Sequence, residues 1–295
     1  MRNAVSLPET GQGVAHSAGQ DTWPGGSTVL KSLSRGVQVL QCFTPDTPSL
    51  PLTTIAATLG VPKGSAFRLV STLEQLGFLQ QDPESKRYRL GVKVLTLGQS
   101  CLSGMVWPDV ALPHLEELAK STRESASMAI LDGTEIVYVA RASIRRVMSS
   151  NLFVGSRLPA HCTSLGKVLL AHLEDDDLDA LLEGILFEPF THLTVSSADD
   201  LRTQLATIRL QGFAISDREL DLTLRSIAAP VRDASGNVVA AINVSTFASR
   251  VPTDELEEHI IPRLLEASNT ISNALGFRPG ARVNERAPAA RPRPA

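Results

Sequence analysis

Residues 52–90 read L-T-T-I-A-A-T-L-G-V-P-K-G-S-A-F-R-L-V-S-T-L-E-Q-L-G-F-L-Q-Q-D-P-E-S-K-R-Y-R-L. Leu52, Ile55, Ala56 and Leu59 recur at helical spacing, and Thr53 is placed to cap that helix through its hydroxyl. Gly60 ends it, because a residue without a Cβ adopts the left-handed backbone that a tight turn needs. Pro62 suits the first position of a second helix, where the missing N–H costs nothing. Ala66, Leu69, Val70 and Leu73 then form a core-facing stripe. Lys63, Ser65, Phe67, Arg68, Ser71, Thr72 and Gln75 are left pointing outward, a surface able to enter a major groove. Gly77 closes the helix. Phe78-Leu79 and 88–90 are strand-like around a turn at 82–85, and Lys86, Arg87 and Arg89 make the hairpin basic. Two short helices about a Gly turn followed by a basic hairpin is the order of a winged helix-turn-helix, a DNA-reading device.

Charge is distributed as that reading requires. Residues 31–100 hold eight Lys or Arg and four Asp or Glu, a net of +4; residues 101–275 hold fourteen and twenty-four, a net of −10. The chain as a whole is only −3. A basic module joined to an acidic body places one end against a polyanion.

With 295 residues there is room for two domains, and 43% hydrophobic and 20% charged residues are ordinary for a globular chain. There is neither an apolar run of bilayer length nor a signal-peptide pattern, so a cytoplasmic protein with no membrane partner is expected. Cys42, Cys101 and Cys162 are odd in number and widely spaced, which fits reduced thiols and neither a disulfide framework nor a zinc site.

The chain divides into a disordered arm (1–30), the winged helix-turn-helix (31–91), a linker helix (92–106), an α+β domain (107–276) and a disordered tail (277–295). In a first helix Leu33, Val37, Leu40 and Phe43 repeat at helical spacing. Val92, Leu95 and Leu97 begin the linker helix, and Trp107-Pro108 marks the next boundary. Val110, Leu112, Leu115, Leu118 and Ala119 continue an amphipathic helix. Strands are expected at 127–131 and 136–140 around Asp132-Gly133-Thr134, a hairpin signal, with a third at 147–152. Helices follow at 164–171, up to 182, and 198–210, then a strand at 212–216 and a hairpin of 227–232 with 238–246. Thr253 caps a closing helix kinked at Pro262. Antiparallel hairpins with helices between them, and no run of βαβ units, define an α+β fold.

The segments S-L-S-R-G-V-Q-V-L (32–40), L-G-V-P-K-G-S (59–65), L-G-F-L-Q-Q-D (76–82), G-S-R-L-P-A-H-C-T-S-L-G-K (155–167), R-S-I-A-A-P-V (225–231) and V-A-A-I-N-V-S (239–245) together resemble the IclR family of bacterial transcriptional regulators. Three positions depart from its pattern: Phe67, His161 and Thr223. The resemblance implies a GAF-like effector-binding domain, an antiparallel sheet with flanking helices, behind the winged helix-turn-helix, and an assembly into homodimers or homotetramers. R-A-S-I-R-R-V-M-S (141–149), A-H-C-T-S and L-R-S-I-A look most like the branch that governs aromatic acid catabolism, including β-ketoadipate pathway genes.

The expected partners are therefore double-stranded operator DNA and a small carboxylic acid effector. On the DNA side the candidates are Lys63, Ser65, Phe67, Arg68 and Thr72 on the second helix and Lys86, Arg87 and Arg89 on the wing. Arg68 can read guanine bidentately and Phe67 can press on a thymine methyl; alternatively, Arg68 meets only phosphate and Phe67 packs on the first helix. The resemblance carries the effector pocket to Ser164, Leu165, Ser226, Asn243 and Ser245. Asn243 and Ser245 alternate with apolar residues, so both point to one face of a strand. Arg146, His161 and Arg225 are candidate charge partners for a carboxylate.

Catalysis finds little support. Ser164 lacks a G-x-S-x-G elbow, His161 has no evident third partner, and no phosphate loop or HExxH motif exists, so no metal, cofactor or catalytic residue is expected. A small-molecule sensor acting through protein partners, or less readily a hydrolase, is the alternative.

Overall fold

The computed structural model describes residues 30–144 and 152–278. Arg146, most of the third strand expected at 147–152, the arm before residue 30 and the tail from residue 279 lie outside the described residues. Two units divide between Leu97 and Gly98.

The first unit is built from α1 (Lys31–Gln41), α2 (Leu52–Thr58) and α3 (Lys63–Gln75), followed by the antiparallel pair β1 (Leu79–Gln81) and β2 (Tyr88–Leu90). Leu50 adds a bridge to Tyr88, extending the wing by one residue. Val39, Phe43, Leu50, Ile55, Val70, Leu73, Leu79 and Tyr88 form one buried cluster, so every element contributes to a single core. Gly60 (φ 61°) and Gly77 (φ 81°) take the left-handed backbone that ends α2 and α3.

Three local expectations are corrected. Thr53 does not cap α2: the helix starts at Leu52, and Pro51 occupies the cap with its carbonyl accepting the N–H groups of Thr54 and Ile55. Pro62 precedes α3 as its cap and is not its first helical residue. In α1 the buried residue is Val39, while Leu33 and Val37 remain 67% and 48% exposed, because the helix packs against α3 through its C-terminal half, with Leu40 and Phe43.

The helix α4 (Lys93–Ser103) runs through the division, and α5 (Val106–Thr122) opens the second unit. The boundary expected at Trp107-Pro108 falls earlier, at Gly104-Met105: Pro108 lies in the first turn of α5, where a proline interrupts no hydrogen bond. The second unit's sheet is antiparallel, in the order β5 (Arg157–Pro159), β4 (Glu135–Ala142), β3 (Ser125–Asp132), β8 (Val238–Phe247), β7 (Leu224–Arg232), β6 (Ala214–Asp217). Strand alternation separates its two faces. Met128, Ala140, Ile227, Ala229, Ile242 and Val244 pack with α5 and the closing helix. On the reverse face, Ala129, Tyr138, Ala228 and Ala241 pack with α6 (Ser164–Ala171), α7 (Asp175–Glu183) and α8 (Ala198–Gln211). This is the expected α+β layering of helices on an antiparallel sheet.

The closing helix starts as α9 (Thr253–Glu255), widens into a π segment over Leu256–Ile260 and returns as α10 (Ile261–Ala274). The irregularity ends at Ile260, just before Pro262, which stands in the first turn of α10. Order continues past residue 276: the Phe277 N–H bonds the Ser272 carbonyl, and its ring lies 6.0 Å from the Arg232 guanidinium.

Candidate DNA interface and effector site

Helix α3 separates cleanly into two faces. Ala66, Val70 and Leu73 are buried, whereas Lys63, Phe67, Arg68, Thr72 and Gln75 are exposed and Ser65 is half-buried. Phe67 is 52% exposed and stands outside the core, so its ring is available to a partner and does not pack on α1. The Arg68 guanidinium is exposed and makes a long contact to Ser65 Oγ at 3.4 Å, and the Thr72 hydroxyl donates to the Arg68 carbonyl (2.8 Å).

Asp82 organises the wing. One carboxylate oxygen accepts the Ser85 N–H (2.7 Å), the Ser85 hydroxyl (2.8 Å) and the Glu84 N–H (3.2 Å), and the Ser85 bonds chiefly hold its carboxyl below the ordinary range. Lys86 then turns through a left-handed conformation (φ 57°) at the tip, with its side chain exposed. Arg89 is exposed and reaches across the strand pair to Gln80 (3.0 Å). Arg87 differs from the other two, donating through Nε and Nη2 to the hydroxyl and carbonyl of Ser49. Part of its role is to fasten the wing to the segment before α2.

In the second unit, a polar track crosses the sheet face beneath α6. The hydroxyls of Ser164, at the start of α6, and Ser226, on β7, are 2.8 Å apart. Ser226 pairs across strands with Ser245, and the Asn243 amide donates to Ser245 Oγ (3.0 Å). Asn243 pairs with Ser127 of β3, whose hydroxyl accepts from Arg141 of β4 (3.0 Å). Ser127, Asn243 and Ser164 are at most 2% exposed. The helix itself is set by Thr163, whose hydroxyl caps the Gly166 N–H, and by Gly166, where a Cβ would lie 2.1 Å from the Ala160 carbonyl oxygen.

The structure thus brings together Ser164, Ser226, Asn243 and Ser245. Leu165 is adjacent, but its side chain is in the apolar cluster, which leaves only its backbone for a ligand. Arg225 is elsewhere. Alternation turns it to the α5 side, where its guanidinium holds Asp217 (2.9 and 3.1 Å) and the Val251 carbonyl (3.2 Å), depressing the Asp217 carboxyl. His161 is 2% exposed, and burial first, then Lys167, keep its pKa below the usual value. It hydrogen-bonds the Glu188 backbone and stacks edge-on against Phe187 at 5.4 Å, so a neutral ring, and no cation, stands at this position.

Sequence reasoning missed Arg141, Ser127 and a second buried cluster. Ending β4 at Ala140 put Arg141 in a loop, whereas the strand runs to Ala142 and includes an irregularity at Met128/Ala129. A lone Arg following an apolar strand was the available signal. The second cluster centres on Lys167, 1% exposed, which bonds the Glu219 carboxylate and Gln204 Oε1 (2.7 Å). Thr194 and Thr191 hold the carbonyls of Glu219 (2.6 Å) and Arg218 (2.7 Å), and Ser216 holds that of Cys162 (3.0 Å). Burial, with Glu219 nearby, pushes the Cys162 thiol up to about 12, leaving it protonated and unreactive. Among the described residues there is no group of three or more His, Cys, Asp or Glu side chains arranged to hold a metal, and no helix is long and apolar enough to cross a membrane.

A winged helix-turn-helix with a cationic, solvent-facing second helix, followed by a sheet domain with a buried polar track, defines a ligand-responsive DNA-binding regulator. Residues 32–83 match the IclR helix-turn-helix domain, and residues 99–273 match the bacterial transcriptional regulator IclR C-terminal domain. The chain belongs to the IclR family of transcriptional regulators. It is 39% identical to the Pca regulon regulatory protein of Pseudomonas putida, over 83% of this chain and 84% of that one. A solved structure from Rhodococcus sp. RHA1 superposes with a TM-score of 0.74 at 40% identity, covering 84% of this chain and 98% of its own. An IclR homologue from Microbacterium hydrocarbonoxydans, complexed with 4-hydroxybenzoate, superposes with a TM-score of 0.72 at 27% identity, covering 83% and 98%.

Proposed function

We propose that α3 enters the major groove of an operator with Arg68 reading a base edge, while Lys86 and Arg89 grip phosphate and Arg87 anchors the wing. A small aromatic carboxylic acid, bound on the polar track of the second unit, controls that binding. Lys63, Ser65, Phe67 and Thr72 complete the reading face. The supporting observation is the split of α3, with a buried stripe of Ala66, Val70 and Leu73 against an exposed face carrying two cations and a bare aromatic ring. For the effector, the support is a run of hydroxyl, amide and guanidinium groups buried in an otherwise apolar layer, where unused polar groups are costly. The Microbacterium homologue, solved in complex with 4-hydroxybenzoate, favours an aromatic acid. The acid acts by binding one state of the regulator more tightly than another, since only differential affinity shifts such an equilibrium. The protein works in the cytoplasm as a homodimer or homotetramer, with two reading helices on a roughly palindromic site.

The test is Arg68→Ala against single-base-pair variants of the promoter it binds. A base-reading Arg68 loses discrimination at one or two positions, about 1–3 kcal/mol each. Uniform weakening at every position assigns Arg68 to phosphate and removes the base-reading claim.

A further inference from the structure

The polar track shows which ligand groups it is built to receive. Along it, the Arg141 guanidinium donates to Ser127, the Asn243 amide nitrogen donates to Ser245, and the Ser164 and Ser226 hydroxyls bond each other. Asn243 Oδ1, buried in a residue 2% exposed, has no hydrogen-bond partner among the described residues. An amide oxygen only accepts hydrogen bonds. The Nδ2 bond to Ser245 fixes the amide with that oxygen on its other branch. A carboxylate, ether or carbonyl oxygen of a ligand has nothing to give it, whereas an O–H does. Asn243 lies on β8, two strands from Arg141 on β4 with Ser127 between them, a lateral spacing of roughly 10 Å at about 4.8 Å per strand. One sheet face therefore carries, well apart, a guanidinium of the type that suits a carboxylate and an unfilled acceptor that suits a hydroxyl.

We propose that Asn243 selects a hydroxylated acid: its Oδ1 accepts a hydrogen bond from a hydroxyl of the effector while the carboxylate lies toward Arg141, so a deoxygenated analogue binds more weakly. This rests on the reading of the track as the effector site. A buried acceptor left bare costs free energy that a ligand hydroxyl recovers and an unsubstituted ring does not.

The experiment is calorimetric titration of the full chain with benzoate, 3-hydroxybenzoate and 4-hydroxybenzoate, which share a carboxylate and differ only in the hydroxyl. At least one hydroxybenzoate should bind tighter than benzoate by about tenfold or more. Asn243→Leu, similar in volume and apolar, should bring the two acids to about the same affinity by weakening the hydroxylated one. Asn243→Asp retains an acceptor and should retain the preference; its loss there would assign the reading to the amide nitrogen and overturn the proposal. Equal affinities in the unaltered chain, or an undiminished preference in Asn243→Leu, also overturn it while leaving an effector site in place. If none of the three acids binds the unaltered chain, the aromatic-effector reading itself fails, and the proposal with it.

Discussion

Replacing Lys167 by Met should destabilise the second unit by about 3–5 kcal/mol, the usual effect of stripping one partner from a buried ion pair. Lys167 is 1% exposed and its partner's side chain 9%, so neither charge is screened by solvent. Gln204 satisfies a second ammonium proton, while Glu219 Oε2 has no hydrogen-bond partner among the described residues and depends on the ammonium for compensation. Without Lys167 that carboxylate is a lone buried charge. Met keeps the helix and has an unbranched side chain of similar length, so lost packing contributes little. The double variant Lys167→Met/Glu219→Leu removes both charges and should recover most of the loss, because hydrophobic replacement of a buried pair is often neutral or better. Urea unfolding followed by Trp107 fluorescence measures this, since Trp107 packs on the second unit's core; Trp23→Phe silences the chain's other tryptophan. A loss against a typical stability of about 5–15 kcal/mol is easily resolved. A single-variant loss below about 1 kcal/mol, or a double variant no more stable than the single, refutes the view that Lys167 compensates a buried carboxylate.

Acid sensitivity follows from His161 and His172, both held below their ordinary pKa of 6.5 chiefly by burial. The unfolded chain binds those protons first, so stability is full above pH 6.5 and falls as pH drops below it; His161→Gln should flatten that decline in melting temperature, and an unchanged slope counts against it. Gly166→Ala should cost roughly 1–3 kcal/mol or prevent folding, because the added carbon meets the Ala160 backbone, which has no soft side chain to yield; a melting temperature within a degree of the original would show that α6 can shift. On the wing, Lys86→Gln and Arg89→Gln should each lower the salt dependence of operator binding by about one unit of log–log slope, with no change in base preference, whereas a slope that stays put removes that residue from the phosphate contacts. Arg87→Gln should add a loss of wing order, visible as faster amide exchange at Tyr88 and Leu50, since its bonds to Ser49 are structural.

The DNA-reading half was legible because each of its signals is local. A left-handed turn needs Gly60 and Gly77, a helix face needs the spacing of Ala66, Val70 and Leu73, and an asparagine-like turn needs Asp82, all within a few residues of where they act. What misled there was also local: Thr53 had the right chemistry for a cap, but Pro51 fixed the start one residue earlier. The effector half depends on pairings between distant residues. Ser164 meets Ser226 across 62 positions, and Lys167 meets Glu219 across 52. Nothing in S-L-G-K-V-L-L-A says that its one charge will be buried. Arg225 and Ser226 show the limit most clearly: adjacent in sequence, they point to opposite faces of β7, one to an ion pair with Asp217 and the other to the polar track. A motif that contains both suggests the same role for both, and only the strand's alternation, fixed by its register with β6 and β8, separates the ion-paired arginine from the polar track. Arg141, by contrast, stands on the track, because β4 runs two residues further than its apolar pattern and carries the guanidinium onto the face where Ser127 and Asn243 stand.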